Sequence, residues 1–356
     1  MIPIFDGHLD LAWNALSWNR DLTLPLDELR RREAHLSDHA ARGCATVCLP
    51  EMRRGGVRVC LATLLARAQR GAHPEREHLR INLDHANQDI ASAVARGQLE
   101  YYRLLDARGD VRILRDADAL DRHWKSNDGG IGIILLMEGA DPVVSSSRLE
   151  HWFARGLRVV GLAHYGPSAY AVGTGATGAL TPAGLELLRA MRGLGMILDL
   201  THCADESFYQ AIDAFDGPVL ASHNNCRALV PGDRQFSDEQ IRLIIERGGV
   251  IGAAVDCWML RADWEGGAGD RNLVSLADVA NHIDHVCQLA GNARHAVIGS
   301  DLDGGFGTEQ TPAGVESIAD LQKLAPILAA RGYSSDDVAT IFHGNWLRFF
   351  GQHLKG

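Results

Sequence analysis

Short apolar runs recur along this chain of 356 residues, and the stretches between them carry helical patterning. The runs read as strands at about 2–8, 43–49, 131–137, 157–163, 196–201, 218–222, 249–255 and 296–300. Strands that alternate with helices form parallel βαβ units. Eight such units are the number that closes a barrel, so the expected fold is α/β, a (β/α)8 TIM-type barrel. The helix signals agree with this. Thr181-Pro182 gives an N-cap and a first-turn proline, with Gly193 and Gly195 at the far end. Ser237 and Gln240 have capping-box spacing ahead of Ile241, Leu243 and Ile244. Ser275 opens a stripe of Val279, Ile283, Val286 and Ala290. One interval, 51–130, breaks the rhythm with a basic turn (Arg53, Arg54) and a long helix expected from Pro74 to about Ala107. It is expected to be a helical insertion after the second strand, inside one catalytic domain spanning 1–356. A second irregular piece, 164–181, is rich in Gly, Ala and Thr; loops that long are usually functional or mobile. Its glycines lead to the expectation that 165–180 folds over a pocket.

The residues that close these runs point to chemistry. The first run ends in His8 and Asp10, the third in Glu138, the fourth in His164, the fifth in His202, the sixth in His223 and the eighth in Asp301, with Asp303 two further on. In a barrel that end of the strands holds the active site. Side chains two apart share a strand face, which places His8 and Asp10 with Ile2 and Ile4 inside the barrel. The same rule puts Glu138 with Ile134 and Leu136, and His164 with Val160 and Leu162. A carboxylate at the end of IGIILLM lies where an unpaired charge is expensive, so it needs a cation or hydrogen-bonding partners. The imidazoles and carboxylates exceed the ligand set of one zinc and suit two metal ions sharing one carboxylate. Such a pair holds a hydroxide and lowers the pKa of its parent water towards about 7. No GxSxG, P-loop or helix-opening GxGxxG occurs.

Plainer readings exist for each residue alone. An isolated His8 or His164 is more often a hydrogen-bonded core histidine, and Asp301 and Asp303 suit Asx turns ahead of Gly304 and Gly305. His35, His39, His73, His78, His85, His282 and His285 read as surface residues. The net charge of −10 disfavours a nucleic acid partner. No apolar run reaches the roughly 20 residues of a membrane span. The opening MIPIFDGHLDLAW shows no basic leader before an apolar stretch. Seven cysteines, an odd number without a CxxC pair, read as free thiols in a reducing compartment. A cytoplasmic location is the resulting expectation.

Taken in order, FDGHLDLAW, MEGAD, GLAHYG, ILDLTHC, ASHNNCRAL, GDRQFSDEQI, IGSDLDG and GNWLRFF resemble the membrane dipeptidase (renal dipeptidase) family of zinc peptidases, from about residue 4 to 350. The resemblance implies two Zn2+ per chain, with His8 and Asp10 on one, His202 and His223 on the other, and Glu138 bridging them. It implies that His164 stabilises the oxyanion, that Arg234 holds the substrate's terminal carboxylate, and that Asp301 is the acid/base. The reaction implied is hydrolysis of a dipeptide, with a D-residue accepted at the C-terminal position, by a hydroxide bridging the metals. Mn2+ and Co2+ suit the same ligands. A homodimer is carried over as a partner state. There are departures: Leu9 stands where the family often has Asn, and Asp256 and Trp258 stand near the seventh rim, which bears on substrate preference. The animal members' secretory signal and lipid-anchor tail are not seen in the sequence, so the family's membrane attachment does not transfer. Two rivals stay open. One is a dinuclear barrel hydrolase acting on cyclic amides, lactones or phosphoesters; the other is a non-catalytic scaffold barrel.

Overall fold

Eight parallel strands carry the fold in the computed structural model, which describes residues 1–69, 83–126, 128–264 and 270–356. They are β1 (Ile4–Leu9), β2 (Val57–Leu65), β3 (Gly132–Glu138), β4 (Leu157–Gly161), β5 (Ile197–Asp199), β6 (Val219–Leu220), β7 (Ile251–Ala253) and β8 (Ala296–Ile298). β1 to β6 pair in chain order, each parallel to the next. β7 pairs with β8, and a bridge from Ala221 to Ile251 joins the two groups. The chain is a (β/α)8-type barrel. A side chain stitches its last seam: Asp6 Oδ1, on β1, accepts from the Ser300 N–H just past β8 at 2.8 Å and from the His8 N–H at 3.2 Å. Burial raises the Asp6 carboxyl above its usual range, and the Ser300 and His8 hydrogen bonds oppose that shift.

Alternation along the strands divides the core into two layers. Phe5, Val59, Leu61, Ile134, Leu136, Val159, Ile197, Leu220 and Val297 fill the barrel together with Trp346 and Phe350 of helix Asn345–His353. Phe5 stacks on both of those rings at 5.5 Å. Cys60, Ala62, Leu64, Ile133, Leu135 and Met137 face outward, against the helices. Glycines open one interior layer. A Cβ on Gly7, Gly252 or Gly299 would lie 2.4, 2.0 or 1.8 Å from the Ser222 carbonyl oxygen. Three glycines, on β1, on β7 and just past β8, thus give up side chains so that the main chain of Ser222 can enter the barrel, directly before His223 in the chain.

The second strand is not at 43–49. Residues 44–48 form no strand ladder, and helix Leu49–Arg54 follows with Pro50 in its first turn. Their backbone groups are satisfied elsewhere: Asp303 accepts from the Thr46 and Val47 N–H groups, and the Cys44 carbonyl accepts from Thr308. The strand that pairs with β1 is VRVCLATLL, inside the interval expected to be all insertion. A helical segment does follow it, but helix Gln88–Arg108 starts later than expected, capped by Asn87 and ended by Gly109 in the left-handed conformation. The expected start at Pro74 lies outside the described residues. Residues Asp84–His85 pair instead with Arg67–Ala68. The caps at Thr181, Ser237 and Ser275 are all present, the latter two as capping boxes.

His282 is a core residue rather than a surface one. On helix Leu276–Ala290, its Nδ1 accepts the Cys226 N–H at 3.0 Å, three residues past His223. Burial, with His285 nearby, lowers its pKa to about 3. The unfolded chain therefore binds a proton between about 3 and 6.5 that the folded chain refuses. Stability is intact above the unfolded value and falls with pH below it. At pH 5 the loss is about 2 kcal/mol. Urea unfolding at pH 7.5 and pH 5 checks this: His282→Asn, which keeps an acceptor for Cys226, is expected to lose about 2 kcal/mol less than wild type on acidification. Equal losses would acquit His282.

Candidate metal centre

The mouth of the barrel gathers eight polar side chains, with the Glu138 carboxylate at their centre. Glu138, the last residue of β3, follows Ile134 and Leu136 on the inner face. Its two oxygens face different neighbours. Oε2 lies 3.4 Å from His8 Nε2. Oε1 lies 3.3 Å from both His202 Nε2 and His223 Nε2, and 3.7 Å from His164 Nε2. Beyond His8, Asp10 Oδ1 and Asp301 Oδ1 each stand 3.8 Å from its Nε2. Two donor groups therefore meet at Glu138.

Local backbone places each of these residues. Ile4 belongs to the outer layer and Phe5 to the inner, so strict alternation would turn His8 away from the site. An irregular register between Asp6 and Leu9 breaks the alternation and brings His8 inward. His164 also departs from the simple rule, since Val160 and Leu162 pack outside. β4 ends at Gly161, and the pleat no longer governs residues beyond it. His202 and Asp301 hold positive φ of 66° and 58°, as does Asp303 at 63°. Only two other non-glycine residues among those described do so, which concentrates backbone strain at this rim.

Hydroxyl groups of neighbouring residues orient three of these side chains. Ser222 Oγ lies 2.8 Å from His223 Nδ1, and Thr174 Oγ1 lies 3.1 Å from His202 Nδ1. Thr63 Oγ1 donates to Asp10 Oδ1. With the δ nitrogens engaged, the ε nitrogens of His202 and His223 face each other at 3.2 Å. Burial first, then nearby cationic groups, lowers both histidines well below their ordinary range, so both are neutral. Burial would lower His8 as well, but Glu138 and Asp10 outweigh it and hold His8 well above that range. Burial raises Glu138, and it raises Asp301 strongly; for Asp301 the charges of Asp10 and Glu138 add to burial against His8 and Arg234.

This arrangement fits metal ions. Both nitrogens of His8 and Oε2 of Glu138 are buried with no hydrogen-bond partner among the described residues. Such groups are costly unless something compensates them. Imidazole nitrogens and carboxylate oxygens suit zinc, manganese or cobalt. The nearest thiol in the chain, Cys203, is kept protonated by burial, its pKa raised to about 12.

Above the centre lies a cavity of about 420 Å3, within the range of small-ligand pockets. Seven of the eight candidate residues line it, and His8 lies buried beneath. Arg234 is buried on its wall. It donates to the Asn224 side-chain oxygen at 3.1 Å and the His223 carbonyl at 3.0 Å, and it has no carboxylate partner among the described residues. Asp256 and Trp258 also line the wall. Burial raises Asp256 to about 7, although Gln310 and Trp258 donate hydrogen bonds to it. Asp303, two residues past Asp301, is not part of the centre; it pins residues 46–47.

The 164–181 loop folds back on itself and reaches Cys203. Bridges pair Tyr165 with Thr174, Pro167 with Val172 and Gly173 with Cys203. A Cβ at Gly173 would lie 1.9 Å from the His164 carbonyl oxygen, so this glycine permits close approach. Thr63, Thr174 and Ser222 carried no sequence signal that would mark them. They are common residues made relevant by what the fold sets beside them.

A (β/α)8 barrel with imidazoles and carboxylates massed at its C-terminal rim defines a metal-dependent hydrolase. A family model described as Membrane dipeptidase (Peptidase family M19) matches residues 1–355, and the chain belongs to that family. It is a metallopeptidase of the dipeptidase class. The chain is 26% identical over 358 residues to dipeptidase aclJ of Aspergillus oryzae, covering 98% of this chain and 78% of that one. It is 29% identical over 262 residues to an uncharacterised Klebsiella pneumoniae protein encoded in the pqqA 5' region, covering 70% of this chain and 93% of the relative. A crystal structure of a Rhodobacter sphaeroides metallopeptidase, liganded with a phosphinate mimic of the dipeptide L-Ala-D-Ala, superposes with a TM-score of 0.77 at 25% identity, over 99% of both chains.

Proposed function

We propose that the chain, as one catalytic domain, hydrolyses dipeptides at a centre of two divalent ions, zinc being the first choice. The observation that carries this is the division of Glu138, one oxygen towards His8 and the other towards His202 and His223. His8 and Asp10 would hold one ion, His202 and His223 the other, with Glu138 shared. When bound, the ions supply Lewis acidity and a water acidified enough to attack at neutral pH.

The chain's own residues do the rest. Arg234 is a buried guanidinium with only neutral acceptors, and it takes the substrate's terminal carboxylate. A fixed carboxylate anchor beside the scissile bond limits substrates to two residues. His164 donates to the carbonyl oxygen as that oxygen gains charge. Asp301 accepts the water's proton while the water oxygen bonds to the carbonyl carbon. It returns the proton to the nitrogen as the C–N bond breaks. The mimic bound by the Rhodobacter sphaeroides relative supports including L,D dipeptides among the substrates. All seven cysteines are unpaired, which supports the reducing, cytoplasmic setting expected from the sequence. As a separate matter, no helix of the described residues is long and apolar enough to cross a membrane.

A panel of L,L and L,D dipeptides, assayed with and without chelator beside metal analysis, tests the reading. Hydrolysis is expected with about two equivalents of metal, lost on chelation and recovered with zinc. A loaded protein that cleaves no dipeptide would refute it.

A further inference from the structure

Among the described residues two guanidinium groups reach the cavity, and they differ in what they already hold. Arg234 meets only neutral acceptors. Arg67, on the short strand Arg67–Ala68, gives Nε and Nη2 to the two oxygens of Asp84, at 2.7 and 2.8 Å. That bidentate pair neutralises Arg67, so it is a poor anchor for a substrate anion. Its remaining nitrogen, Nη1, lies 3.3 Å from His164 Nδ1 and 3.5 Å from the Tyr165 carbonyl.

An arginine has five N–H donors and no acceptor. Where its nitrogen meets an imidazole nitrogen, the imidazole must accept. An imidazole that accepts at Nδ1 carries its single proton on Nε2. Nε2 is the atom that points to the centre, 3.7 Å from Glu138 Oε1. The frame around this contact is shared: one carboxylate, Asp141, accepts from the Ala68 N–H at 2.9 Å and the Ala169 N–H at 3.0 Å. It ties the strand that carries Arg67 to the loop that follows His164.

We infer that Arg67, oriented by Asp84, is a positioning residue that locks His164 in the Nε2–H tautomer, as a hydrogen-bond donor to substrate rather than a third imidazole ligand beside His202 and His223. Distance alone does not separate the two roles, because Glu138, His164 and His202 also lie close enough to take an ion together. The donor on Nδ1 separates them. A protonated His164 would set an N–H against the guanidinium, two donors with no acceptor between them. The inference rests on His164 serving the substrate carbonyl, but its first test needs no activity.

In the zinc-loaded protein labelled with 15N-histidine, the His164 signals are identified by their loss in His164→Gln. Nδ1 is expected to be unprotonated and Nε2 protonated; Arg67→Met should shift the ring towards a mixture of tautomers. A wild-type His164 protonated at Nδ1 would overturn the inference whether or not dipeptides are cleaved. In turnover, Arg67→Met is expected to keep its metal complement and its KM within about threefold, while kcat falls by about ten- to a hundredfold. Arg67→Lys, which restores a donor, should recover part of kcat. Asp84→Asn should lower kcat in the same direction. Loss of metal from Arg67→Met, or an equal rise in KM without change in kcat, would reduce Arg67 to a structural residue and overturn the assignment.

Discussion

Glu138→Gln is expected to lower kcat/KM for dipeptides by at least about a thousandfold, some 4 kcal/mol of transition-state stabilisation, while leaving the metal-free fold intact. Glu138 offers an oxygen to each donor group, with Oε2 beside His8 and Oε1 beside His202 and His223. A carboxamide keeps the shape but offers one neutral oxygen, so it cannot hold two ions together. Metal content should fall from about two equivalents to one or fewer. The fold should not suffer in the same way. Burial already raises the Glu138 pKa, so its charge is a burden on the metal-free protein. Without it, burial pushes His8 towards the neutral form against Asp10 alone, so the variant loses the Glu138 charge and weakens the opposing one together. Stability in chelator should therefore stay within about 1 kcal/mol of wild type. Added zinc should raise the wild-type Tm and leave the variant's nearly unmoved, since ligand binding stabilises only a state that binds. A Glu138→Gln protein that keeps two equivalents and most of its activity would remove the shared carboxylate from the mechanism.

The sequence made the donors legible because each is a rare residue type in a distinctive place: Glu138 after IGIILLM, His223 after PVLAS, Asp301 after an apolar run. The helix caps were equally local, and Thr181, Ser237 and Ser275 sit where their side-chain chemistry requires. Long-range partners were not legible. The run at 44–48 and β2 look alike in composition, and only the company each keeps decides between them. Asp303 claims the backbone of the first, and β1 and β3 claim the second. Face assignment failed where the pleat is broken, at the irregular stretch before Leu9 and past the end of β4. Thr63, Thr174, Ser222 and Arg67 take their roles from contacts 53, 28, 1 and 97 residues away along the chain, and His282 from one at 56. Of these only Ser222 stands next to its partner, and nothing in a serine before a histidine announces an orienting bond.

Arg234→Met should separate a dipeptidase from other hydrolases on the same barrel. Arg234 is a buried cation on the cavity wall whose hydrogen bonds go to a side-chain amide and a main-chain carbonyl. A buried guanidinium without a counter-anion is unfavourable until something anionic arrives, and the substrate's terminal carboxylate does so in bidentate geometry. Removing it is expected to lower kcat/KM for a free dipeptide by about a hundred- to a thousandfold, 3–4 kcal/mol, chiefly through KM. The matching dipeptide amide, which has no carboxylate to lose, should change by less than about fivefold. Arg234→Lys should resemble the methionine variant, because a point donor cannot replace a planar fork. The control is metal content, since Arg234 also holds the carbonyl of His223, a proposed ligand, and its loss would disturb that residue. With both equivalents retained, discrimination between acid and amide isolates the anchor. If acid and amide decline together in a fully loaded variant, Arg234 supports the centre instead of reading the substrate, and a cyclic amide or lactone, which presents no terminal carboxylate, becomes the better substrate class to test.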